Sequence, residues 1–406
     1  MLQAHIYRSY LYLFVGASLL SHVLAVNAER SSFAQPIARG IASLRGIMSR
    51  QESNKSHKFK RQMRGINYNK NGSAFVWLPQ DSYEGKNFFE GFNFFTAPDP
   101  THGLVKYVDR EVAQRKNYTW VEDDGTVRIV ADMNSWLPYN TPRESVRITT
   151  KKLYTTGLFI VDLNRAPYGC AVWPAFWTTS FGEIDVLEGV HDQQTNRMAW
   201  HTKAGCFINK NVSFTGTVSK GGSNQELVDC ESNGYSKGGC SITDWSKASY
   251  GEYFESQGGG VLAMKWDEND ISIWSFFRAA IPDDIKEGVP TPASWGPPSA
   301  KLDSSNCDIK NYFSNHTAIF NITFCGDWAG NTYSTTQCPG TCVERMMDPA
   351  NFVNATWSIN SFKVYKKQPV NGDFNPTSAG FNLRGHGLDG TTLLGASVLA
   401  GGMLAL

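Results

Sequence analysis

The sequence predicts one large all-β sandwich. From Gly65 to about Tyr365, short runs rich in Val, Ile, Thr, Phe, Tyr and Trp alternate with clusters of Gly, Asn, Asp and Pro, the pattern of strands and turns. No long segment keeps a helical period, and strands do not alternate with helices as a parallel sheet would require. The chain of 406 residues carries one such texture and no internal repeat, so it holds one globular domain with a core of substantial size.

The elements follow in order. The start, through Ala28, reads as a secretory signal peptide: Arg8 supplies the basic end, Leu11 to Ala25 is apolar, and Val26-Asn27-Ala28 offers small residues before a cut, in a run shorter than the about 20 apolar residues that span a bilayer. Residues 29–64 are rich in Ser, Arg, Lys and Gln and read as a disordered segment or a propeptide with a dibasic site at Lys60-Arg61. The folded domain runs over 65–370. Within it "SVRITTKKLY", "GLFIVDLNRAP", "HTAIFNITFCGDW" and "WSINSFKVYKK" are strand-like. Two hairpins are expected, around Asp124-Gly125 and around Asp267-Glu268-Asn269-Asp270. Residues 371–406 read as a linker and a lipid-anchor (GPI) attachment signal: Ser378-Ala379-Gly380, a polar spacer and a short apolar tail, with Ser378 the preferred attachment residue and Asn371-Gly372 a second option. That anchor is the one membrane association expected. Eight cysteines, an even number, fit an oxidising compartment and disulfides whose pairing spacing alone does not give. Seven Asn-x-Ser/Thr sequons stand at Asn54, Asn71, Asn117, Asn211, Asn315, Asn321 and Asn354, acceptors on a secreted route. A net charge of +1 leaves no field to attract nucleic acid. The chain reads as a monomer.

The chemistry concentrates in "WPAFWTTSFGEIDVLEGVHDQ", residues 173 to 193. Acids on an apolar strand cost free energy unless something requires them. Glu183 and Asp185 share a face, since strand side chains alternate. Strict alternation turns Glu188 away from them; one extra residue, a β-bulge straddled by Val186 and Leu187, brings it back. Glu183 and Glu188 are then roughly 13 Å apart along the strand, a gap two leaning side chains can largely close. Retaining glycosidases need two carboxyls about 5–5.5 Å apart, one nucleophile and one acid/base, and a middle Asp185 favours the protonated form of a neighbour. The other readings fit less well. A solvated acidic face mixes Lys, Thr and Ser with its acids, and a calcium loop puts Gly and Asn turns between its ligands, whereas here the intervening residues are Ile, Val and Leu. No metal or cofactor is called for. Trp173, Phe176 and Trp177 precede the acids. Indole stacks on apolar sugar faces and keeps an N–H for a hydroxyl, although any one Trp is more often core. His201, in "WHT" after the acid loop, stands between a structural role and one beside the acids.

These residues resemble a known family. "GEIDVLEGV" is similar to the Glu-x-Asp-x-x-Glu signature of glycoside hydrolase family 16 in its laminarinase-like form. "GCAVWPAFW", "HTKAGC", "NCDIKNYF", "NITFCGDWAG" and "CPGTC" resemble the fungal endo-1,3(4)-β-glucanases of that family, over about residues 66 to 366. The resemblance implies a β-jelly-roll sandwich, concanavalin A-like, of two curved antiparallel sheets with a substrate cleft. It implies a β-1,3 or mixed β-1,3/1,4-glucan as partner. It implies Glu183 as nucleophile, Glu188 as acid/base and Asp185 as assisting acid, with Trp173, Trp177, His201 and Arg147 as substrate-binding residues. One departure stands out: the family's Gly-Val-Asn after the acid/base is Gly-Val-His191 here, which bears on the subsite nearest the leaving group. A glucan transglycosylase and a non-catalytic glucan-binding module are the alternatives on the same fold.

Overall fold

A computed structural model describes residues 65–232 and 238–370. The leader, the 29–64 segment, Asn54 and the tail from residue 371 lie outside the described residues. The described chain is built on two antiparallel sheets. In the nine-stranded sheet the main path runs Ile66–Tyr68, Ala74–Glu84, Thr356–Pro369, Gly157–Arg165, Gly260–Trp266, Asp270–Phe277, Ala300–Asp303; Val127–Val130 and then Thr119–Val121 continue from Thr356–Pro369. The seven-stranded sheet runs Thr217–Val218, Cys240–Thr243, Arg197–His201, Val172–Glu188, Ser314–Phe324, Arg147–Thr150, Phe92–Phe94. The order is far from sequential, as in a jelly-roll, so most neighbours are distant in sequence. The α-helices are short, the longest being Arg110–Arg115 and Gly251–Ser256, and no helix among the described residues is long and apolar enough to cross a membrane.

Both expected hairpins form, and their turn chemistry explains why. Thr119–Val121 pairs with Val127–Val130. Gly125 takes φ +88°, and Asp124 Oδ1 accepts the Thr126 N–H at 2.9 Å, the short-range bond that makes Asp a turn former. Gly260–Trp266 pairs with Asp270–Phe277 as far as Trp266↔Ile271. There Asp267 Oδ1 accepts from the Asn269 N–H at 2.8 Å and Asp270 closes back on the Asp267 N–H at 3.1 Å.

Alternation sorts each strand into a core face and an outer face. From the seven-stranded sheet Phe176, Ile184, Val186, Trp200 and Phe320 enter the main core, and from the other sheet Phe159, Trp266, Trp357 and Phe362 meet them. Phe176 and Phe320 stack with centroids 4.5 Å apart, Phe362 meets Phe176 edge-on at 5.3 Å, and Trp357 meets Phe320 edge-on at 5.4 Å. A second cluster on Phe75, Trp77, Leu158, Ile160 and Val261 covers the far side of the nine-stranded sheet.

All eight cysteines are paired: Cys170–Cys338, Cys206–Cys307, Cys230–Cys240 and Cys325–Cys342. The last joins the two ends of the 325–342 segment to each other, and the first fastens that segment to Cys170 beside the functional face. Without them that segment would have to be held by backbone bonds over a long excursion, at a cost in chain entropy.

Truncation at the centre of the core tests this account. Phe320→Ala removes a fully buried ring that faces five other aromatics. The expected loss is about 3–5 kcal/mol, read as a shift of the urea midpoint at constant slope.

Candidate active site

The functional face is the side of the seven-stranded sheet turned away from the core, and one hairpin dominates it. Val172–Glu188 is continuous extended chain, yet Trp173 Nε1 donates to Glu188 Oε1 at 2.8 Å, and the His191 N–H donates to Val172 O at 3.0 Å. Fully extended, the same stretch would hold Trp173 and Glu188 roughly 50 Å apart, so the strand doubles back. The reversal falls at Phe181-Gly182, where the register against Ser314–Phe324 shifts and Gly182 takes φ +83°. A Cβ there would come within 2.3 Å of Tyr312 O, so glycine is required. The first arm pairs with Ser314–Phe324, from Val172↔Phe324 to Thr179↔Thr317. The second pairs with Arg197–His201, at Glu183↔His201 and Asp185↔Ala199. In sequence the tryptophans precede the acids; the fold sets Trp173 alongside Glu188.

The slip expected at Val186 and Leu187 is present. Ile184 and Val186 enter the core as alternation demands, and Leu187 enters it as well, which returns Glu188 to the face of Glu183 and Asp185. Regular pairing with the next strand stops at Asp185↔Ala199. The side chain of Asn196, fully buried, replaces the missing rungs: Nδ2 donates to Val186 O at 2.8 Å and Oδ1 accepts the Glu188 N–H at 2.9 Å. The Asn196 N–H in turn donates to Ser249 Oγ at 2.8 Å.

Three carboxyls thus share one partly enclosed face. His201 Nε2 lies 3.1 Å from Asp185 Oδ2 and 3.8 Å from Glu183 Oε1. The contact with Asp185 is close but not aligned as a hydrogen bond, and Asp185 Oδ2 is left without a protein donor. Burial, then the charge of Asp185, pushes the Glu183 carboxyl up to about 7, and the same two causes in the same order push Glu188 up to about 7. Asp185 rises to about 7 through burial, opposed by the Arg197 guanidinium. Desolvation and like charges both favour the protonated form, so at neutral pH the trio cannot be fully ionised. Glu183, Asp185 and His201 also bring ligand atoms within 4.8 Å of one another, but two carboxyls and a histidine are equally what a proton-sharing cluster needs.

The other expected residues are gathered here, with two corrections to their environment. Neither indole N–H is left for a sugar hydroxyl: Trp173 gives its N–H to Glu188, and Trp177 gives its to Asn321 Oδ1 at 2.8 Å, because a buried donor needs a partner. Trp173 is also packed among Val190, Trp328 and Ala329. Arg147 is buried with its guanidinium between the rings of Phe95 at 4.3 Å and Trp177 at 4.9 Å, a stacked arrangement suited to its planar cation, and its Nε has no protein acceptor. The second correction concerns His191, which sits beneath the face rather than on it. It is 2% exposed and has φ +58°. Its Nδ1 accepts the Ala171 N–H at 3.1 Å, leaving Nε2 to donate to Thr332 Oγ1 at 3.3 Å. That hydroxyl already donates to Trp328 O at 2.7 Å, which fixes the tautomer. His191 therefore anchors the segment that carries Trp328.

Several site residues escaped the sequence reading. Arg197 lies on the same strand face as His201, its Nε donating to Ser241 Oγ at 2.9 Å and its guanidinium 4.8 Å over Trp328; alternation along "RMAWH" carried that signal. Asn321 stands in a glycosylation sequon. It is instead buried, bonded to Trp177, and donates through Nδ2 to Tyr107 Oη at 3.4 Å. Asn196 and Phe95 left no trace in the pattern: Asn196 acts through a side chain that stands in for missing backbone rungs, and Phe95 through Arg147, far away in sequence.

A jelly-roll with three carboxyls on one hairpin is the arrangement of a carbohydrate-active hydrolase, and the comparisons agree. Residues 92–365 match the XgeA-like catalytic domain of glycoside hydrolase family 16. An endo-1,3(4)-beta-glucanase of Arthroderma benhamiae is 38% identical over 73% of this chain and 66% of its own length, so the chain spans about two thirds of that relative. Laminarinase 16A of Phanerochaete chrysosporium, solved with 6-O-glucosyl-laminaritriose in donor and acceptor sites, is similar at TM-score 0.67 and 37% identity over 71% of this chain and 99% of its own. An elongating family 16 beta-1,3-glucosyltransferase is similar at TM-score 0.66 and 36% identity over 72% of this chain and 100% of its own. The chain belongs to glycoside hydrolase family 16.

The raised carboxyls make stability depend on pH. Folded, the three hold protons to about pH 7; unfolded, they release them near 4.5 for Glu and 3.8 for Asp. Between those limits the native state binds more protons, so their contribution, full below about pH 4, is lost as pH rises to about 7. Relative to the triple variant Glu183→Gln, Asp185→Asn, Glu188→Gln, the wild-type Tm should fall across that window. Parallel curves would contradict the burial of the cluster.

Proposed function

We propose that the chain is a retaining endo-β-glucanase acting on β-1,3 or mixed β-1,3/1,4-glucan. The observation that carries the reading is the joining of Glu183, Asp185 and Glu188 on one face, with Glu188 held by the Trp173 N–H. The identities and names of the relatives support the substrate class. Glu188, protonated, gives its proton to the glycosidic oxygen while Glu183 attacks the anomeric carbon. The bond to the leaving sugar breaks and a glycosyl ester forms. Water then attacks the same carbon, Glu188 takes its proton, and Glu183 leaves as carboxylate. The order of roles follows the order of acids in the family motif. Asp185, with an oxygen lacking a donor, keeps a proton and offers it as a hydrogen bond to Glu183. That stabilises the nucleophile's charge. The fully ionised cluster cannot donate, so kcat/KM should decline as pH passes about 7.

Glu183→Gln and Glu188→Gln should each lower kcat on laminarin by about 10²–10⁴-fold with unchanged circular dichroism, and fresh product from wild type should be the β-anomer by proton NMR. Full activity in either variant, or α-anomer first, would overturn the mechanism. Similarity to a glucosyltransferase favours a second reading in which a sugar hydroxyl replaces water. Products longer than a defined starting oligosaccharide would select it.

We also propose that the enzyme is secreted and lipid-anchored. Pairing of all eight cysteines supports an oxidising compartment, and the exposed sequons Asn71, Asn117, Asn211 and Asn315 could carry glycans. Phosphatidylinositol-specific phospholipase C should release the protein from intact cells with the residue following Ala28, or one following Lys60-Arg61, at its N-terminus. Retention in the cytosol would dismiss the proposal.

A further inference from the structure

Glu183, Asp185 and His201 serve the hydrolysis as a proton-holding cluster, yet they also have the donor set of a metal site. Strand register builds it. Glu183 stands directly opposite His201, and Asp185 opposite Ala199. The imidazole therefore lies across from one acid and diagonal to the other, within reach of both. Gly239 seats the ring from behind: a Cβ there would come within 2.5 Å of His201 Nδ1. Nε2 is left facing the acids. All three donors ride on paired strands, so their spacing does not need an ion to organise it.

The distances suit a small divalent ion. Ligands at zinc's bond lengths of about 2.0–2.2 Å stand about 3.0–3.6 Å from one another. His201 Nε2 is 3.1 Å from Asp185 Oδ2 and 3.8 Å from Glu183 Oε1, and one donor atom from each residue lies within 4.8 Å of the others. Asp185 Oδ2 is buried and accepts no hydrogen bond, on a side chain only 4% exposed. A buried oxygen in that state is satisfied by a proton or by a cation. A divalent ion neutralises both carboxylates at once, with neutral imidazole as third ligand. The side chains of Glu183 and His201 are 31% and 26% exposed, so the ion enters from the functional face and keeps a position open to water, the three-ligand plan of exchangeable zinc sites. Donor type chooses among ions. An imidazole nitrogen suits Zn²⁺, Co²⁺ or Cu²⁺, whereas Ca²⁺ takes about six to eight oxygens. Cys170, Asp192 and Cys338 also cluster, but both sulfurs are spent in a disulfide. Arg197, whose charge acts on Asp185, opposes the ion, which marks it as a reversible occupant and not a resident cofactor.

We propose that Glu183, Asp185 and His201 form a binding site for a zinc-class divalent cation, which switches the enzyme off reversibly by occupying the carboxyls that attack and assist. The binding stands on the geometry alone, while the inhibition rests on the glucanase reading.

Co²⁺ is the probe, because its visible absorption reports nitrogen and oxygen ligation directly. Titrated into the intact, chelator-washed protein at about pH 7.5, where metal ligands are deprotonated, it should give a saturable band for one ion per chain that Zn²⁺ removes. Asp185→Asn and His201→Ala should each weaken binding by more than about ten-fold, and Glu188→Gln, outside the donor set, should retain it. In parallel, Zn²⁺ should raise KM for laminarin with kcat unchanged, a chelator should reverse the effect, and Ca²⁺ at the same concentration should have none. No saturable band in wild type, or equal binding in wild type and both ligand variants, would overturn the site. Binding with hydrolysis unaffected would overturn the switch and the nucleophile role of Glu183 together, leaving the ion site. A wild type inactive on laminarin even after chelator treatment would remove the glucanase reading and the switch, while the Co²⁺ titration still decides the site.

Discussion

Three carboxyls crowded onto one hairpin face are the constraint from which the rest of the site follows. Each is driven towards its protonated form by burial and by the others, and an apolar strand does not accept such a cluster without support. The support is specific. Asn196 fills the rungs left empty by the slip at Val186 and Leu187, Trp173 donates to Glu188, and Arg197 and His201 bring positive or donor groups from the neighbouring strand. Loss of the slip would turn Glu188 into the core, where nothing could pair with it.

The hairpin itself depends on its neighbours. Gly182 permits the reversal, but the arms are kept in place by Ser314–Phe324 on one side and Arg197–His201 on the other. Their inner faces pack Phe176, Ile184 and Trp200 into the aromatic core. The core therefore positions the face that carries the acids through alternation: every inward ring sets the direction of an outward polar group one residue away. The segment from Cys325 to Cys342 works in the same way from above. Two disulfides and the buried His191 fix it, and it places Trp328 against Trp173 and Arg197.

Much of this was legible because strand chemistry is local. The all-β class, the hairpins at Asp124-Gly125 and Asp267–Asp270, the acid trio and the slip all come from periods of two and from turn residues. His191 shows where that reasoning stops. Its place three residues after Glu188 suggested a subsite role, yet a positive φ and a pair of ring contacts carry it below the face. Asn321 shows the same limit: three letters read as a sequon, while the strand pairing makes it the floor beneath Trp177.

The sequence by itself determined which residues could do the chemistry, since Glu183, Asp185 and Glu188 owe their shared face to alternation and one extra residue. The tertiary structure alone decided the disulfide pairing, the doubling back that sets Trp173 against Glu188, and the partners Asn196, Arg147 and Arg197. Some of these close within one hairpin and the turn after it, as Trp173 on Glu188 and Asn196 on Val186 and Glu188 do; others join segments far apart in sequence, as Arg147 on Trp177 and the Cys170–Cys338 and Cys206–Cys307 bridges do. Their pairing is fixed by a shared core and by the need to satisfy every buried polar group, and no local pattern encodes either.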